Sequence, residues 1–303
     1  MRSPLRHGLV LAVLLCLLAT AVRAGTHTCT GLPPAVDGVS TLRLTLGGVP
    51  AILRVPTEVT KAPIVLWHGF GAPASEDDLM KALPLDDVPA VKVYLGLPLF
   101  GARAPAAGEA SIAQRQSEDY GARLFEPVVL GAAGELPAIV TALRHRQCLG
   151  PNEPIGLFGF SAGGTAALVA LADRKVAVRL AVVVSAPTGL DAAIDALEHA
   201  THKTYAWSSH TRQLADRSDA IRNAARIASG APALLIMQGE DDSVVNARGA
   251  MSLDEALRPL YRRGGHDRRL KVVLAPGVSH DWTEPNALPG LRATVTSWLN
   301  SYL

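Results

Sequence analysis

The chain has 303 residues, 49% of them hydrophobic and 5% aromatic, which is enough apolar material for a sizeable core. Its 29 basic and 27 acidic residues give a formal charge of only +2. Such a balance gives no indication of a polyanionic partner, so we expect no nucleic-acid binding.

Residues 1–24 are predicted to be a secretory signal peptide. Basic residues near the start precede an apolar run over residues 9–22, and Val22 and Ala24 place small side chains at a cleavage site. A transmembrane anchor is the alternative, but the run has about 14 residues, short of the roughly 20 that span a bilayer. We therefore expect a secreted or periplasmic protein with no stable membrane span after cleavage.

Cleavage after Ala24 would leave 279 residues, predicted to form a single domain over residues 25–303. Loss of three arginines with the signal would leave 26 basic and 27 acidic residues, a formal charge of −1. Two cysteines remain, Cys29 and Cys148. An exported protein can join them in a disulfide, and two separate thiols are the alternative.

The predicted elements begin with a hairpin over residues 41–46 and 51–56, because Gly47-Gly48 is a turn signal between two runs of strand formers. Short apolar runs typical of buried parallel strands follow at residues 64–67, 91–95, 155–158, 180–184, 234–237 and 270–274. Helical character is predicted over residues 127–146, 165–173, 252–263 and 291–302. Strands that alternate with helices favour a doubly wound α/β sheet with right-handed crossovers.

Two long segments interrupt this alternation. Residues 100–126 are polar and rich in Gly and Ala, and residues 188–230 carry several His and aromatic side chains. Both leave the carboxyl ends of predicted strands, where open α/β sheets bind ligands. We expect them to form walls of a pocket, with residues 188–230 a candidate cap insertion. Ordinary crossover helices are the alternative.

Ser161 is the predicted nucleophile. It lies in Gly159-Phe160-Ser161-Ala162-Gly163, a G-x-S-x-G pattern between a buried strand and a helix. This pattern forms a sharp turn that presents the hydroxyl at the strand end, and a side chain at Gly159 or Gly163 would collide with its neighbours. The helix that begins there points its amide groups and positive dipole end towards the site.

A serine nucleophile needs a base and a group that orients the base, in the chain order serine, acid, histidine. The strand over residues 234–237 is followed by three acids, Glu240, Asp241 and Asp242, and we favour Asp242, leaving Asp241 as the alternative. His280 follows the last predicted strand and is the expected base. His68 is the rival, but it precedes the serine.

An oxyanion hole is predicted from two backbone amides, which typically contribute a few kcal/mol each to acyl transfer. One is the amide of Ala162, the residue after the nucleophile. The other is expected to be the amide of Phe70, in His68-Gly69-Phe70-Gly71 after the third strand. A plain Gly-rich turn is the alternative reading of this loop. Phe70 and Trp282 are also candidates to line an acyl pocket.

Together, HGFG at residues 68–71, GFSAGG at 159–164 and GEDDSVV at 239–245, followed by His280, resemble the α/β-hydrolase superfamily over about residues 40–303. The likeness is to its dienelactone-hydrolase and prolyl-oligopeptidase-like branches. It implies an α/β-hydrolase fold with a mostly parallel eight-stranded sheet flanked by helices, a Ser-Asp-His triad, and neither a metal nor an organic cofactor. Dienelactone hydrolases use a cysteine where this chain has Ser161, and it has no room for the propeller of prolyl oligopeptidases.

The expected activity is hydrolysis of a small carboxylic ester through an acyl-enzyme intermediate on Ser161. Two alternatives stay open. The same groups could cleave a peptide or amide, as a serine peptidase of prolyl-oligopeptidase-like type. The chain could also be a catalytically silent binding protein, since a fold does not by itself imply a function.

Overall fold

The structure, a computed structural model, describes residues 29–303, so the predicted signal peptide lies outside the described residues. Its centre is one eight-stranded sheet in the order β1-β2-β4-β3-β5-β6-β7-β8. The strands are β1 (Val39–Leu46), β2 (Val49–Pro56), β3 (Lys61–Trp67), β4 (Ala90–Leu95), β5 (Ile155–Phe160), β6 (Val178–Val184), β7 (Ala233–Gly239) and β8 (Leu270–Ala275).

All eight predicted strands form, each within a few residues of its predicted bounds. Strand β2 pairs antiparallel with both β1 and β4, and every other pairing is parallel. The prediction of a mostly parallel eight-stranded sheet of the α/β-hydrolase fold is confirmed. In this order β5 lies next to β3, which brings the loops after both strands to the same edge of the sheet.

Helices cover both faces of the sheet. They are α1 (Glu76–Ala82), α2 (Glu109–Asp119), a π-helix (Tyr120–Leu130), α3 (Gly131–His145), α4 (Ala162–Asp173), α5 (Leu190–Thr201), α6 (Ser209–Ser218), α7 (Ala224–Ala228), α8 (Ala247–Arg263) and α9 (Leu288–Tyr302). One side of the core packs α3, α4 and α8 against the sheet, and the other side packs α1 and α9. Because both faces are covered, every residue of β5 is buried, which explains its continuous apolar pattern.

The prediction that a helix begins near Pro127 was wrong. Helical structure begins at Glu109 and continues without a break to His145, with the π-helix in its middle. Proline favours a helix start because it lacks an N–H, but here Pro127 lies inside the π-helix. This long segment is apolar enough to span a membrane, yet 56% of its most apolar window is buried within the protein.

Cys29 and Cys148 form a disulfide across 119 positions of sequence. The bond ties the beginning of the described chain to the segment that follows α3. Backbone hydrogen bonding supports the same junction, since the Thr30 amide donates to the Arg146 carbonyl at 2.9 Å. Of the two alternatives for the cysteines, the structure therefore has the disulfide.

Candidate active site

Ser161 lies at the turn between β5 and α4, as the G-x-S-x-G pattern predicts. Its backbone has φ 51° and ψ −120°, a strained conformation for a residue with a side chain. The turn is held in place because the Ser161 amide donates to the Val184 carbonyl at 2.9 Å. A Cβ on Gly159 would lie 2.2 Å from the Gly163 carbonyl oxygen, and one on Gly163 would lie 2.4 Å from that of His68. Only glycine fits at these two positions.

The side chains of Ser161, His280 and Asp242 form a hydrogen-bonded line. The Nε2 atom of His280 lies 3.2 Å from the Ser161 hydroxyl oxygen, and its Nδ1 atom lies 2.9 Å from an oxygen of Asp242. These distances are within hydrogen-bond reach for a nucleophile and its base. The hydroxyl, imidazole and carboxylate of the predicted triad are thus brought together from positions up to 119 residues apart.

The structure brings Asp242, and neither Glu240 nor Asp241, to His280. The Asp242 side chain is inaccessible to solvent, whereas the other two residues are exposed. Its second carboxylate oxygen accepts the backbone amides of Val244 and Val245, at 2.9 and 2.8 Å. Burial alone would raise the pKa of Asp242, but the hydrogen bonds from His280 and from these amides outweigh it and hold the pKa below its ordinary value.

Gln238 is a site residue that the sequence reasoning missed. Its side-chain amide donates to the Asp242 carboxylate at 2.9 Å and to the Val245 carbonyl at 2.9 Å. It therefore joins the end of β7 to the acid and to the loop beyond it. The available signal was a polar residue near the end of an otherwise apolar, buried strand.

The loop after β3 approaches the nucleophile closely. A Cβ on Gly69 would lie 3.0 Å from the Cβ of Ser161 and 2.8 Å from the Phe160 ring. Phe70 stacks on Phe100, with ring centroids 4.8 Å apart, and both Phe70 and Ala162 line the cavity beside the nucleophile. The two predicted oxyanion donors therefore belong to the same cavity as Ser161.

His68, the rival base, is fully buried and is hydrogen-bonded both to its own loop and to the loop after β4. The Leu97 amide donates to its Nε2 atom at 3.0 Å, so its Nδ1 atom carries the proton and donates to the Gly69 carbonyl at 2.6 Å. Burial lowers the pKa of His68 to about 4, so the ring is neutral near pH 7. Both ring nitrogens are occupied, and His68 has neither left free to act as a base.

The hydrogen bond from His68 has a geometric consequence for Phe70. The Gly69 carbonyl and the Phe70 amide belong to one peptide group, and in a trans peptide these groups point in opposite directions. A carbonyl held by the buried ring of His68 therefore directs the Phe70 N–H the other way. The sequence reasoning placed His68 in the loop motif but missed this contact.

The cavity beside Ser161 has a volume of about 170 Å³. The π-helix supplies Tyr120, Phe125 and Val129 to its lining, and α5 supplies Ala193 and Ala196. Both long segments singled out in the sequence therefore contribute side chains to it. The sequence did not identify the three side chains from Tyr120–Leu130, because the twist of a π-helix departs from that of the ordinary α-helix.

Trp282 does not line this cavity. It is fully buried and packs edge-on against Phe160, with centroids 5.7 Å apart, while Phe160 in turn lies 5.1 Å from the His280 ring. The expectation that Trp282 contributes to an acyl pocket was wrong. Trp282 instead supports Phe160, the ring that packs against His280.

A family model described as the prolyl oligopeptidase family matches residues 135–303. The match covers more than half of the chain and includes Ser161, Asp242 and His280. The chain belongs to the prolyl oligopeptidase family. It is a serine hydrolase of the α/β fold, as its resemblance to that superfamily predicts. No curated protein matches it.

Solved structures with this fold include both lipases and peptidases. TT1662 from Thermus thermophilus is 23% identical with a TM-score of 0.64, over 86% of this chain and 98% of that one. A hormone-sensitive lipase from a metagenome library is 17% identical with a TM-score of 0.57, over 88% and 86%. A puromycin-hydrolysing peptidase of Mycobacterium tuberculosis is 17% identical with a TM-score of 0.63, over 89% of this chain and 40% of that one. The fold alone does not choose between ester and amide substrates.

Proposed function

We propose that this prolyl oligopeptidase family member hydrolyses carboxylic esters, with Ser161, His280 and Asp242 as its catalytic triad. The observation that carries the proposal is the hydrogen-bonded line from the Ser161 hydroxyl through His280 to Asp242, at 3.2 and 2.9 Å. A serine hydroxyl is a weak nucleophile at neutral pH, and a base at this distance overcomes that limit.

In the proposed mechanism, His280 takes the proton from Ser161 as its oxygen attacks the ester carbonyl. The bond between the acyl carbon and the alcohol oxygen then breaks, and His280 gives its proton to the departing alcohol. Water repeats the sequence on the acyl-enzyme and releases the acid. Asp242 keeps the Nδ1 proton of His280 in place and stabilises the imidazolium that forms.

The oxyanion in this mechanism is held by the backbone amides of Phe70 and Ala162. Three observations support these roles. Both residues line the cavity of Ser161, the His68 contact fixes the orientation of the Phe70 peptide, and Ala162 is the first residue of α4, whose amino end favours negative charge. Amides fixed before the reaction begins stabilise the transition state without a cost of reorganisation.

Peptide or amide cleavage is the second candidate, and membership of the prolyl oligopeptidase family is the observation that favours it. The cavity beside Ser161 supports the ester proposal instead. Among the described residues that line it there is no Asp or Glu, so this cavity does not favour a charged amino terminus within it. An ester substrate has no such group to neutralise.

The two candidates separate in a direct comparison of 4-nitrophenyl esters with aminoacyl 4-nitroanilides. We expect kcat/KM for the best ester to exceed that for the best anilide by at least 100-fold, and Ser161→Ala to abolish turnover of both. Anilide turnover equal to or faster than ester turnover would overturn the ester proposal and leave the peptidase. If neither series were turned over and a fluorophosphonate did not label the protein, the result would support the catalytically silent binding protein instead.

We propose export from the cytoplasm as well. The Cys29–Cys148 disulfide supports it, since such bonds persist in oxidising compartments. Expression of the full chain, followed by sequencing of the mature amino terminus, tests the proposal. We expect a mature chain that begins at Gly25, and a chain recovered from the cytoplasm with an intact start would contradict export.

A further inference from the structure

The cavity beside Ser161 limits the size of the group that it can hold. Its volume of about 170 Å³ is close to that of an engineered apolar cavity of about 150 Å³ that binds benzene. A group of about six or seven non-hydrogen atoms fills such a space. The nucleophile and both oxyanion residues line this cavity, so the reacting carbonyl lies in it, and its small size suits the acyl part of a substrate.

The lining also restricts the charge of that group. Of the described residues around the cavity, none is Asp, Glu, Lys or Arg. Burial raises the pKa of Tyr120, so its hydroxyl stays neutral across the physiological range. A charged acyl group would lose its hydration without gaining a partner, at a cost of several kcal/mol.

The twist of the π-helix brings three side chains into the lining of the cavity beside Ser161. Tyr120, Phe125 and Val129 are separated by five and four positions. In an α-helix of about 3.6 residues per turn, Phe125 and Val129 would point about 140° and 180° away from Tyr120. In a π-helix of about 4.4 residues per turn, they point within about 50° and 15° of it. The unusual twist therefore puts one aromatic and aliphatic face on the acyl side of the site.

A second, larger cavity of about 590 Å³ adjoins the first, and the two share Pro187, Ala196, Val244 and Val245. Neither Phe70 nor Ala162 lines this second space. A substrate with its acyl group in the first cavity therefore has room for its leaving group in the second.

The second cavity differs from the first in its chemistry. Asp195 and His199 of α5 face it from one side and Arg248 of α8 from the other. None of the three side chains makes a salt bridge or hydrogen bond within residues 29–303. Other arginines on the described surface have an acidic partner, as Arg54 has in Asp86. Unpaired donors and acceptors around a cavity suit a ligand with hydroxyl groups.

We propose that the enzyme is selective for esters that join a small, uncharged acyl group to a larger polyhydroxylated alcohol, with the π-helix setting the acyl size. This inference rests on the proposed ester hydrolysis. In the step concerned, the Ser161 oxygen bonds to the acyl carbon, the bond from that carbon to the alcohol oxygen breaks, and the alcohol leaves with the proton from His280.

The acyl preference is tested with 4-nitrophenyl esters from acetyl to decanoyl, which share one leaving group. We expect kcat/KM to be highest between acetyl and hexanoyl and to fall at least 10-fold by decanoyl. Val129→Ala should move the optimum to longer chains by enlarging the cavity. Val128→Ala is the matched control, because Val128 is equally buried in the same helix but does not line the cavity.

Both valine variants lose similar packing, so a general loss of stability should affect them alike. A chain-length profile that shifts only in Val129→Ala supports the acyl assignment. A wild-type profile that is flat to decanoyl, or one that shifts equally in both variants, would overturn it. Failure to hydrolyse any ester while anilides are cleaved would instead refute the proposed function.

The leaving-group preference is tested with butyryl glucose against ethyl butyrate. We expect wild-type kcat/KM to favour the sugar ester by at least 10-fold. The ratio should fall in Arg248→Gln and in Asp195→Asn, and stay unchanged in Arg212→Gln, a surface arginine that lines neither cavity. A wild-type ratio near one, or a ratio that no variant changes, would overturn the polyol assignment.

Discussion

Replacement of His68 by Phe tests whether this buried ring holds the oxyanion loop. Phe has a similar volume, so the core stays filled, but it neither accepts the Leu97 amide nor donates to the Gly69 carbonyl. Two buried backbone groups lose their partners, at about 1–3 kcal/mol each. The greater apolarity of Phe offsets part of this loss. We expect the free energy of unfolding at pH 7.5 to fall by about 2–4 kcal/mol.

The same replacement should alter the dependence of stability on pH. Burial lowers the pKa of His68 from 6.5 to about 4 in the folded protein. Between these values the unfolded chain binds a proton that the folded protein does not, so stability decreases as the pH falls from 6.5 to 4. The full difference corresponds to about 3 kcal/mol. This component should be absent from the His68→Phe variant.

The assay is urea unfolding followed by tryptophan fluorescence at pH 4.5, 5.5, 6.5 and 7.5. His145→Phe is the control, since His145 is exposed on α3 and its replacement should change stability by no more than about 0.5 kcal/mol. For activity, we expect kcat of His68→Phe to fall about 10- to 1000-fold while KM changes little. The reasoning would be refuted if the free energy of unfolding depended on pH in the same way in wild type and His68→Phe and if kcat were unchanged.

Three further outcomes follow from buried or cross-linked groups. Burial lowers the pKa of Lys92 to about 8, below its unfolded value of 10.5, so wild-type stability should rise between pH 8 and 10.5. At pH 7, Lys92→Met should have a free energy of unfolding about 1–3 kcal/mol higher than that of wild type, and this free energy should not rise between pH 8 and 10.5. Urea unfolding measures both quantities, and a variant less stable than wild type at pH 7 would contradict the reasoning. Gln238→Leu should lower kcat about 10-fold with little change in KM, because Asp242 loses a donor, and an unchanged kcat would rule out a positioning role. Reduction of the Cys29–Cys148 bond should lower the free energy of unfolding by about 2–5 kcal/mol. Calorimetry of the protein with reductant and without it tests this, and identical unfolding transitions in the two samples would contradict it.

The sequence predicted the parts of the fold and site that depend on local patterns. Continuous apolar runs located the parallel strands because both faces of the sheet are covered. Ser161 and His280 were identifiable because their loops follow such strands in a fixed order. Among the three acids after β7, spacing favoured Asp242, and its amide hydrogen bonds and burial explain why that position suits a carboxylate.

What the sequence could not give depends on contacts between distant segments or on an unusual helix. The contacts of Gln238 with Asp242, and of His68 with Leu97, exist only after neighbouring loops meet at one edge of the sheet. The π-helix over Tyr120–Leu130 has no signature in a pattern analysis that assumes the α-helical period. The side chains that the π-helix contributes to the cavity beside Ser161 were therefore out of reach.

The central claim is that Ser161 is a nucleophile activated by His280, and covalent capture tests it most directly. The protein is incubated with a fluorophosphonate, and the modified peptide is identified by mass spectrometry in wild type, Ser161→Ala and His280→Ala. The account predicts one adduct, on Ser161, that disappears in Ser161→Ala and forms at least 100-fold more slowly in His280→Ala. An adduct on another residue, or labelling of Ser161 at the same rate without the imidazole, would contradict it.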